Sequence, residues 1–232
     1  MSIARKLHAV SLICRDSGFT GVLREIGGKL CDRQEMVAYQ RDLTRPAPPV
    51  RCDLPFELRR VPDETLRRFK EMPPPFPRHH EYWTDYRLRR CYGAFVGNRI
   101  GALMWPHFRA DNERRVSKWR QLLADEVQLG NLWADPGFRG RGLIDACMEA
   151  FVAYVAARGF RYLYEFAWVG NESANRLYRR RGFHEVGRVR RYTLGWQRAG
   201  AGLYVRQRIP RQPLAPSHPG GDLELPEVLP WP

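Results

Sequence analysis

Arg139-Gly140-Arg141-Gly142-Leu143 carries the clearest chemical signal in the sequence. The stretch stands directly before a run of helical period. There, unpaired backbone N–H groups and the positive end of a helix dipole favour an anion, a phosphate above all. The glycines let the backbone come close to a diphosphate, and the arginines add charge-assisted hydrogen bonds. Other residue types that can do chemistry are less organised. Five cysteines (14, 31, 52, 91 and 147) show no ligand spacing, which points to a reducing compartment and no structural metal. His79-His80 lies on an extended segment, where neighbouring side chains point apart and no third ligand is near; a surface or cleft pair fits better than a metal site.

The elements around the loop form an ordered set. Asp125–Trp133 reads as a strand ended by Asp135-Pro136, with Glu126, Gln128, Gly130 and Leu132 on one face and Val127, Leu129, Asn131 and Trp133 on the other. The helix after the loop buries Ile144, Cys147, Met148, Phe151 and Val155 and stops at Arg158-Gly159; Cys147 in that stripe is core. Phe160–Trp168 is an aromatic strand, and Asn171 opens a short helix that closes at Gly182-Phe183. Upstream, Cys91–Val96 and Ile100–Trp105 around Gly97-Asn98 form a hairpin. Phe56–Val61 reads as a strand, and Pro62-Asp63-Glu64 opens a helix to about Met72. Residues 106–124 are a basic insertion that either shapes an entrance or covers the sheet. Val186–Leu194 and Leu203–Ile209 are two further strands, expected to be antiparallel.

Residues 19–30 have the spacing of a short amphipathic helix, whereas Met36–Leu43 suits a strand or a helix. Pro46–Pro49 is a stiff connector. These features divide the chain into an N-terminal extension (1–50), a main domain (51–209) and a Pro-rich tail (210–232). The tail is expected to be extended or disordered, with Leu223, Leu225 and Trp231 as docking points.

With 232 residues and 44% hydrophobic content, the chain is long and apolar enough for a real core. The net charge of +14 is almost all arginine, so either acidic partners or a solvated basic surface follows. No run approaches a membrane span and the N-terminus lacks a cleavable-signal pattern, so a cytoplasmic protein is expected.

PGFRGRGLI followed by NESANRLYRRRGF resembles the GNAT superfamily of acyl-CoA N-acyltransferases. The match runs through Arg139, Gly140 and Gly142 of the loop and through Asn171, Ala174, Leu177, Tyr178, Gly182 and Phe183 of the second motif. The loop's last small position is Ile144 here. The resemblance covers about residues 125–185. It implies an α/β (α+β mixed) fold: a mixed sheet flanked by helices and splayed between the strands ending at Trp133 and Trp168. Acetyl-CoA or another acyl-CoA would be co-substrate, without a metal. Its pantetheine arm would pair with backbone groups of Leu132, Trp133 and Ala134, and its diphosphate would rest on amides of Arg139, Gly140, Arg141, Gly142, Leu143 and Ile144. Tyr178 would protonate the departing sulfur, and its alternative is a core tyrosine with a satisfied hydroxyl. Asn171 would bind the cofactor or cap its helix, two compatible roles. A base is expected, because an amine is mostly protonated near neutral pH. Glu126 is the candidate, with Asp125 and His107 behind it; Glu126 as an ordinary strand-end carboxylate is the alternative.

Three functions follow. The first is N-acyl transfer, most simply of acetyl, to a primary amine of a small molecule or peptide. The second is a non-catalytic module binding CoA or a partner. The third is a nucleic-acid or ribosome contact, suggested by Arg176, Arg179, Arg180, Arg181, Arg188, Arg190 and Arg191; those arginines equally suit a CoA-binding edge, and no nucleic-acid motif accompanies them. A homodimer is left open. The acceptor is not encoded in any motif, and Phe76, Tyr82, Trp83, Trp105 and Trp119 are expected to line its entrance.

Overall fold

A computed structural model describes residues 31–68, 91–109, 122–194, 203–206, 223 and 225–230. In chain order the elements are β1 (Cys31–Asp42), β2 (Glu57–Arg60), α1 (Asp63–Arg68), β3 (Tyr92–Val96), β4 (Arg99–His107) and β5 (Glu126–Ala134). They continue with α2 (Leu143–Ala156), β6 (Tyr162–Trp168), α3 (Glu172–Arg180), β7 (His184–Leu194), β8 (Leu203–Arg206) and β9 (Val228–Leu229). The strands make one nine-stranded sheet in the order β8-β7-β1-β6-β5-β4-β3-β2-β9. Among the described residues β5 and β6 are the one parallel pair, and the other neighbours run antiparallel.

The parallel pairing stops early. Only Glu126↔Tyr162, Val127↔Leu163 and Gln128↔Tyr164 are in register. Beyond them β5 stays with β4 as far as Ala134, and β6 stays with β1 as far as Trp168. Two strand edges therefore diverge from a vertex at Gln128 and Tyr164, as the resemblance implies.

Helices α2 and α3 cover one face of the sheet. Val37 and Tyr39 of β1, Met104 of β4, Val127 and Leu129 of β5 and Leu163 and Ala167 of β6 meet Cys147, Met148, Phe151 and Val155 of α2 and Tyr178 of α3. The expected buried stripe of α2 is present, with Ile144 partly buried at its start and Leu143, Ala146, Ala150, Val152 and Tyr154 widening it. Smaller clusters line the opposite face, around Trp105 and Trp133 and around Tyr162 and Tyr164.

Two expectations about the chain ends need correction. The boundary near residue 50 does not separate an extension from the domain, because β1 lies inside the sheet between β6 and β7. Prolines at 46, 48 and 49 end a strand locally, but which edges that strand joins is decided by register and packing. Part of the tail is also built in: β9 pairs with β2 through Leu229↔Leu58 and Val228↔Arg59. Leu223 and Leu225 pack against the core, as expected of docking points, and the Tyr92 hydroxyl donates to the Pro226 carbonyl.

The connector after β1 is held by a buried charge network. Arg181, 2% exposed, donates to the carbonyls of Pro48 (2.5 Å) and Pro49 (3.3 Å) and to Glu149 (3.0 Å). Arg41 binds the same Glu149 through two hydrogen bonds of 2.6 and 2.9 Å, and Arg180 binds Asp145 at 2.8 Å. The helix expected at 19–30, His79-His80, the entrance residues Phe76, Tyr82, Trp83 and Trp119 and the docking residue Trp231 lie outside the described residues.

Candidate active site

The loop joining β5 to α2 is built by local chemistry. Asp135 accepts the Gly137 amide at 2.7 Å and, with Pro136, starts a single helical turn over Pro136–Phe138. Gly140 and Gly142 both take positive φ, 76° and 75°, and Gly142 is the N-cap of α2. The intrahelical ladder begins with Ala146 N–H to the Gly142 carbonyl. The amides of Leu143, Ile144 and Asp145 thus point out of the helix N-terminus. Ile144 is therefore inside the first turn, and the loop's own small residues are Gly140 and Gly142.

Two contacts refine this corner. Arg139 turns back and donates from Nε to the Ala134 carbonyl at 3.1 Å, bracing the end of β5. The connector after β1 passes over Gly142, where an added Cβ would stand 1.9 Å from the Arg51 carbonyl oxygen. Gly140→Ala is accordingly expected to cost about 1–2 kcal/mol through its left-handed backbone alone, since no atom stands within 4 Å of the added carbon. Gly142→Ala adds the backbone clash and loses more. Urea unfolding of the two variants checks this, and equal losses would discount the Arg51 contact.

Along β5 the strict alternation of faces breaks. Three residue steps on β5, Gly130 to Trp133, match two on β4, Trp105 to Leu103, and Asn131 carries the extra step with a φ of 54°. Such a bulge transfers later side chains to the other face. Leu132 consequently packs with Val127 and Leu129 beneath the helices, and Trp133 joins Trp105 on the opposite face. The expected sharing of one face by Glu126, Gln128, Gly130 and Leu132 does not hold past the bulge. Leu132, Trp133 and Ala134 nevertheless lie on the diverging edge.

Tyr178 and Glu126, the expected acid and base, are not brought together. Glu126 sits at the closed end of the sheet with both carboxylate oxygens engaged: Oε2 accepts the Leu123 amide at 2.9 Å and Oε1 the Tyr164 hydroxyl at 3.1 Å. Gln40 in turn donates to Tyr164 at 2.5 Å. Tyr178 lies on the other face, against Tyr39 and Phe183, and its hydroxyl donates to Glu165 Oε2 at 3.2 Å. Adjacent residues of a strand point to opposite faces, so Tyr164 serves Glu126 and Glu165 serves Tyr178. His107 and Asp125 are also buried; His107 stands against Gly130, at the same closed end.

Glu165 is absent from the sequence-level site. It is the first residue of β6 beyond the parallel pairing and lies opposite Tyr39 of β1. Its side chain is buried, and among the described residues its Oε1 has no hydrogen-bond partner. Burial pushes its carboxyl well above the usual carboxylate range, against the smaller downward pull of hydrogen bonds from Tyr178 and the Phe166 amide. Burial, followed by the Glu165 carboxyl beside it, holds the Tyr178 phenol protonated well past its ordinary range. One signal in the sequence could have found Glu165: within Leu163-Glu165-Ala167 it occupies the apolar face.

Asn171 is the N-cap of α3, accepting the Ala174 amide at 3.2 Å. The next contact inward is Asn175, also absent from the expected site. Its side-chain amide donates to the carbonyls of Trp168 (3.2 Å) and Val169 (3.0 Å), and its oxygen accepts the Tyr39 hydroxyl (3.0 Å). This fixes α3, and Tyr178 with it, against the end of β6.

Of the arginines that suggested nucleic acid, Arg176, Arg180, Arg181, Arg188 and Arg190 pair with carboxylates among the described residues. Among the described residues, no three His, Cys, Asp or Glu side chains gather to hold a metal, and no helix is long and apolar enough to cross a membrane.

Comparison with known proteins agrees with this architecture. The sequence model of the Acetyltransferase (GNAT) family matches residues 58–183. No curated protein matches the chain. Among solved structures, a Drosophila protein is similar with a TM-score of 0.52 at 18% identity, over 77% of this chain and 58% of that one. A protein assigned to the GNAT acetyltransferases from Novosphingobium aromaticivorans gives 0.49 at 20% identity, over 68% of this chain and 62% of that one. A GCN5-related N-acetyltransferase from Sphaerobacter thermophilus gives 0.47 at 20% identity, over 89% of this chain and 59% of that one. The chain thus spans roughly three fifths of the length of these solved chains.

Proposed function

This chain belongs to the Acetyltransferase (GNAT) family, and on that footing we propose that it transfers an acyl group, acetyl in the simplest case, from acyl-CoA to a primary amine. One observation carries the reading. Diverging edges of β5 and β6 lead to the amide-rich N-terminus of α2 on one side and to the Tyr178 hydroxyl on the other. A diverging strand edge suits the amides of a pantetheine arm. The amides of Leu143, Ile144 and Asp145, with Arg139 and Arg141 beside them, suit a diphosphate.

The chemistry is direct attack in a ternary complex. The amine nitrogen adds to the thioester carbonyl, the carbon–sulfur bond breaks, and the sulfur leaves as thiolate. Tyr178 protonates it, because its phenol keeps its proton at neutral pH and so remains a donor. Asn171 holds the helix that carries Tyr178 through its cap, a role compatible with binding the donor.

Calorimetric titration with acetyl-CoA tests the donor half. Saturable binding is expected, and Arg141→Ala should weaken it by about 10-fold, the loss of one charge-assisted hydrogen bond. Absence of saturable binding would refute the reading. The full burial of Tyr178 (4% exposed) favours one second reading, a module that binds CoA without turnover. Binding without thiol release in the presence of any amine would select it.

A further inference from the structure

Glu126 is held by two donors on the face away from Tyr178, which leaves the amine's proton without a recipient beside the acid. A second carboxyl meets the geometric requirement. Glu165 stands at the vertex where β5 and β6 part, its Oε2 accepts the Tyr178 hydroxyl at 3.2 Å, and its buried Oε1 is unpartnered among the described residues. Buried carboxyl oxygens are normally satisfied, so an orphan one calls for an occupant that donates. We propose that Glu165 Oε1 receives the acceptor amine and takes its proton, and that Glu165 and Tyr178 work as one relay from nitrogen to sulfur. This rests on the acyl-CoA reading above.

The step balances. The amine enters neutral, having left its ammonium proton in solvent, as an apolar surrounding favours. Its nitrogen bonds to the thioester carbon, and the proton it sheds goes to the Glu165 carboxylate. The carbon–sulfur bond breaks, and the Tyr178 hydroxyl proton goes to the sulfur. After a half-turn of the carboxyl, Glu165 returns its proton to the Tyr178 phenolate across their hydrogen bond. One proton has moved from nitrogen to sulfur, and both side chains are restored.

The surroundings of Glu165 give the pH dependence. Among the described residues, Tyr178 of α3 and Tyr39 of β1 are the titratable groups facing it, and Asn175 adds a neutral amide. Val127 and Leu129 of β5 and the α2 stripe are apolar. Arg41, two residues along β1 from Tyr39, lies over the Phe183 ring and is paired with Glu149. With burial unopposed by a cation, the carboxyl ionises above the usual carboxylate range. That strengthens it as a base. The rate should therefore rise with pH through an ionisation higher than that of an exposed glutamate.

The test uses the full chain and Glu165→Gln, which keeps the side chain's shape. Thiol release from acetyl-CoA is followed with benzylamine, glycinamide and glucosamine as probe acceptors. In parallel, the 13C carboxyl resonance of Glu165 is titrated in the CoA-bound protein, with and without the same amines. For Glu165→Gln, kcat is expected to fall about 100-fold or more, with the KM for acetyl-CoA within about twofold and the acidic limb of the pH profile lost. In the wild type an amine should lower the pH at which the resonance titrates. An unchanged rate and limb, or a resonance indifferent to all three amines, would overturn the proposal even where acetyl-CoA binds normally. The resonance decides if none of the three probes turns over. Failure of the wild type to bind acetyl-CoA refutes the acyl-CoA reading itself, and with it the relay.

Discussion

Tyr178→Phe is expected to slow acyl transfer by about 100- to 10,000-fold, the range for a lost general acid, while acetyl-CoA affinity stays within about twofold. The ring packs between Tyr39 and Phe183, with centroids 5.3 and 5.5 Å away, and phenylalanine preserves both contacts. What disappears is one hydroxyl and its hydrogen bond to Glu165. A fall in kcat at constant affinity is thus assignable to the proton and not to packing. The same deletion leaves Glu165 Oε2 one donor short in the core, at a stability cost of about 1–3 kcal/mol. A thermal melt of the variant separates this cost from catalysis. Turnover at the wild-type rate would remove the acid role and return Tyr178 to a core tyrosine.

Arg181→Met is expected to cost about 3–5 kcal/mol of stability, the range for breaking a buried ion pair, or a fall in Tm on the order of 10 °C. Arg181 is the joint between two helices and the connector. Its guanidinium lies 2.9 Å from Glu149 and 3.8 Å from Asp145 of α2, and it donates to the carbonyls of Pro48 and Pro49. Methionine fills comparable space but leaves those carbonyls without their donor and the two carboxylates with less charge to face. The control is Arg180→Met. Arg180 reaches Asp145 from a side chain that is 61% exposed, and solvent screening should hold its loss below about 1 kcal/mol. Similar melts for the two variants would mean that burial does not set the value of this network.

How much of this was legible depends on the range of the interaction. Asn171 reads as a helix cap because its partner, the Ala174 amide, is three residues away. The turn at Gly97-Asn98 and the helix end at Gly159 likewise need only neighbouring residues and their φ preferences. For Glu165 only half is legible: its place on the apolar face of Leu163-Glu165-Ala167 marks it as buried, but only the placement of α3 shows that it meets Tyr178. Glu126 is parted from Tyr178 for the complementary reason: strand position alone does not tell which neighbours share a face, and the face of Glu126 is the one where Tyr164 donates to it. The bulge at Asn131 is non-local as well, since it is defined by register against β4.

The sequence by itself therefore determined the glycine turns at Gly140 and Gly142 and the order of strand, loop, helix, strand and helix, while the divergence of β5 from β6 came only through the family resemblance. The first two are specified by residues close together in the chain, through glycine φ angles and hydrophobic period. Only the tertiary structure decided that β1 enters the sheet between β6 and β7, that β9 closes its far edge, and that Glu165 is the carboxyl beside Tyr178. Strand edges and burial are shared by residues far apart in sequence: Tyr39, Glu165 and Tyr178 become neighbours only when the sheet and α3 assemble. It is that assembly, through burial, which holds the Glu165 carboxyl above the usual carboxylate range.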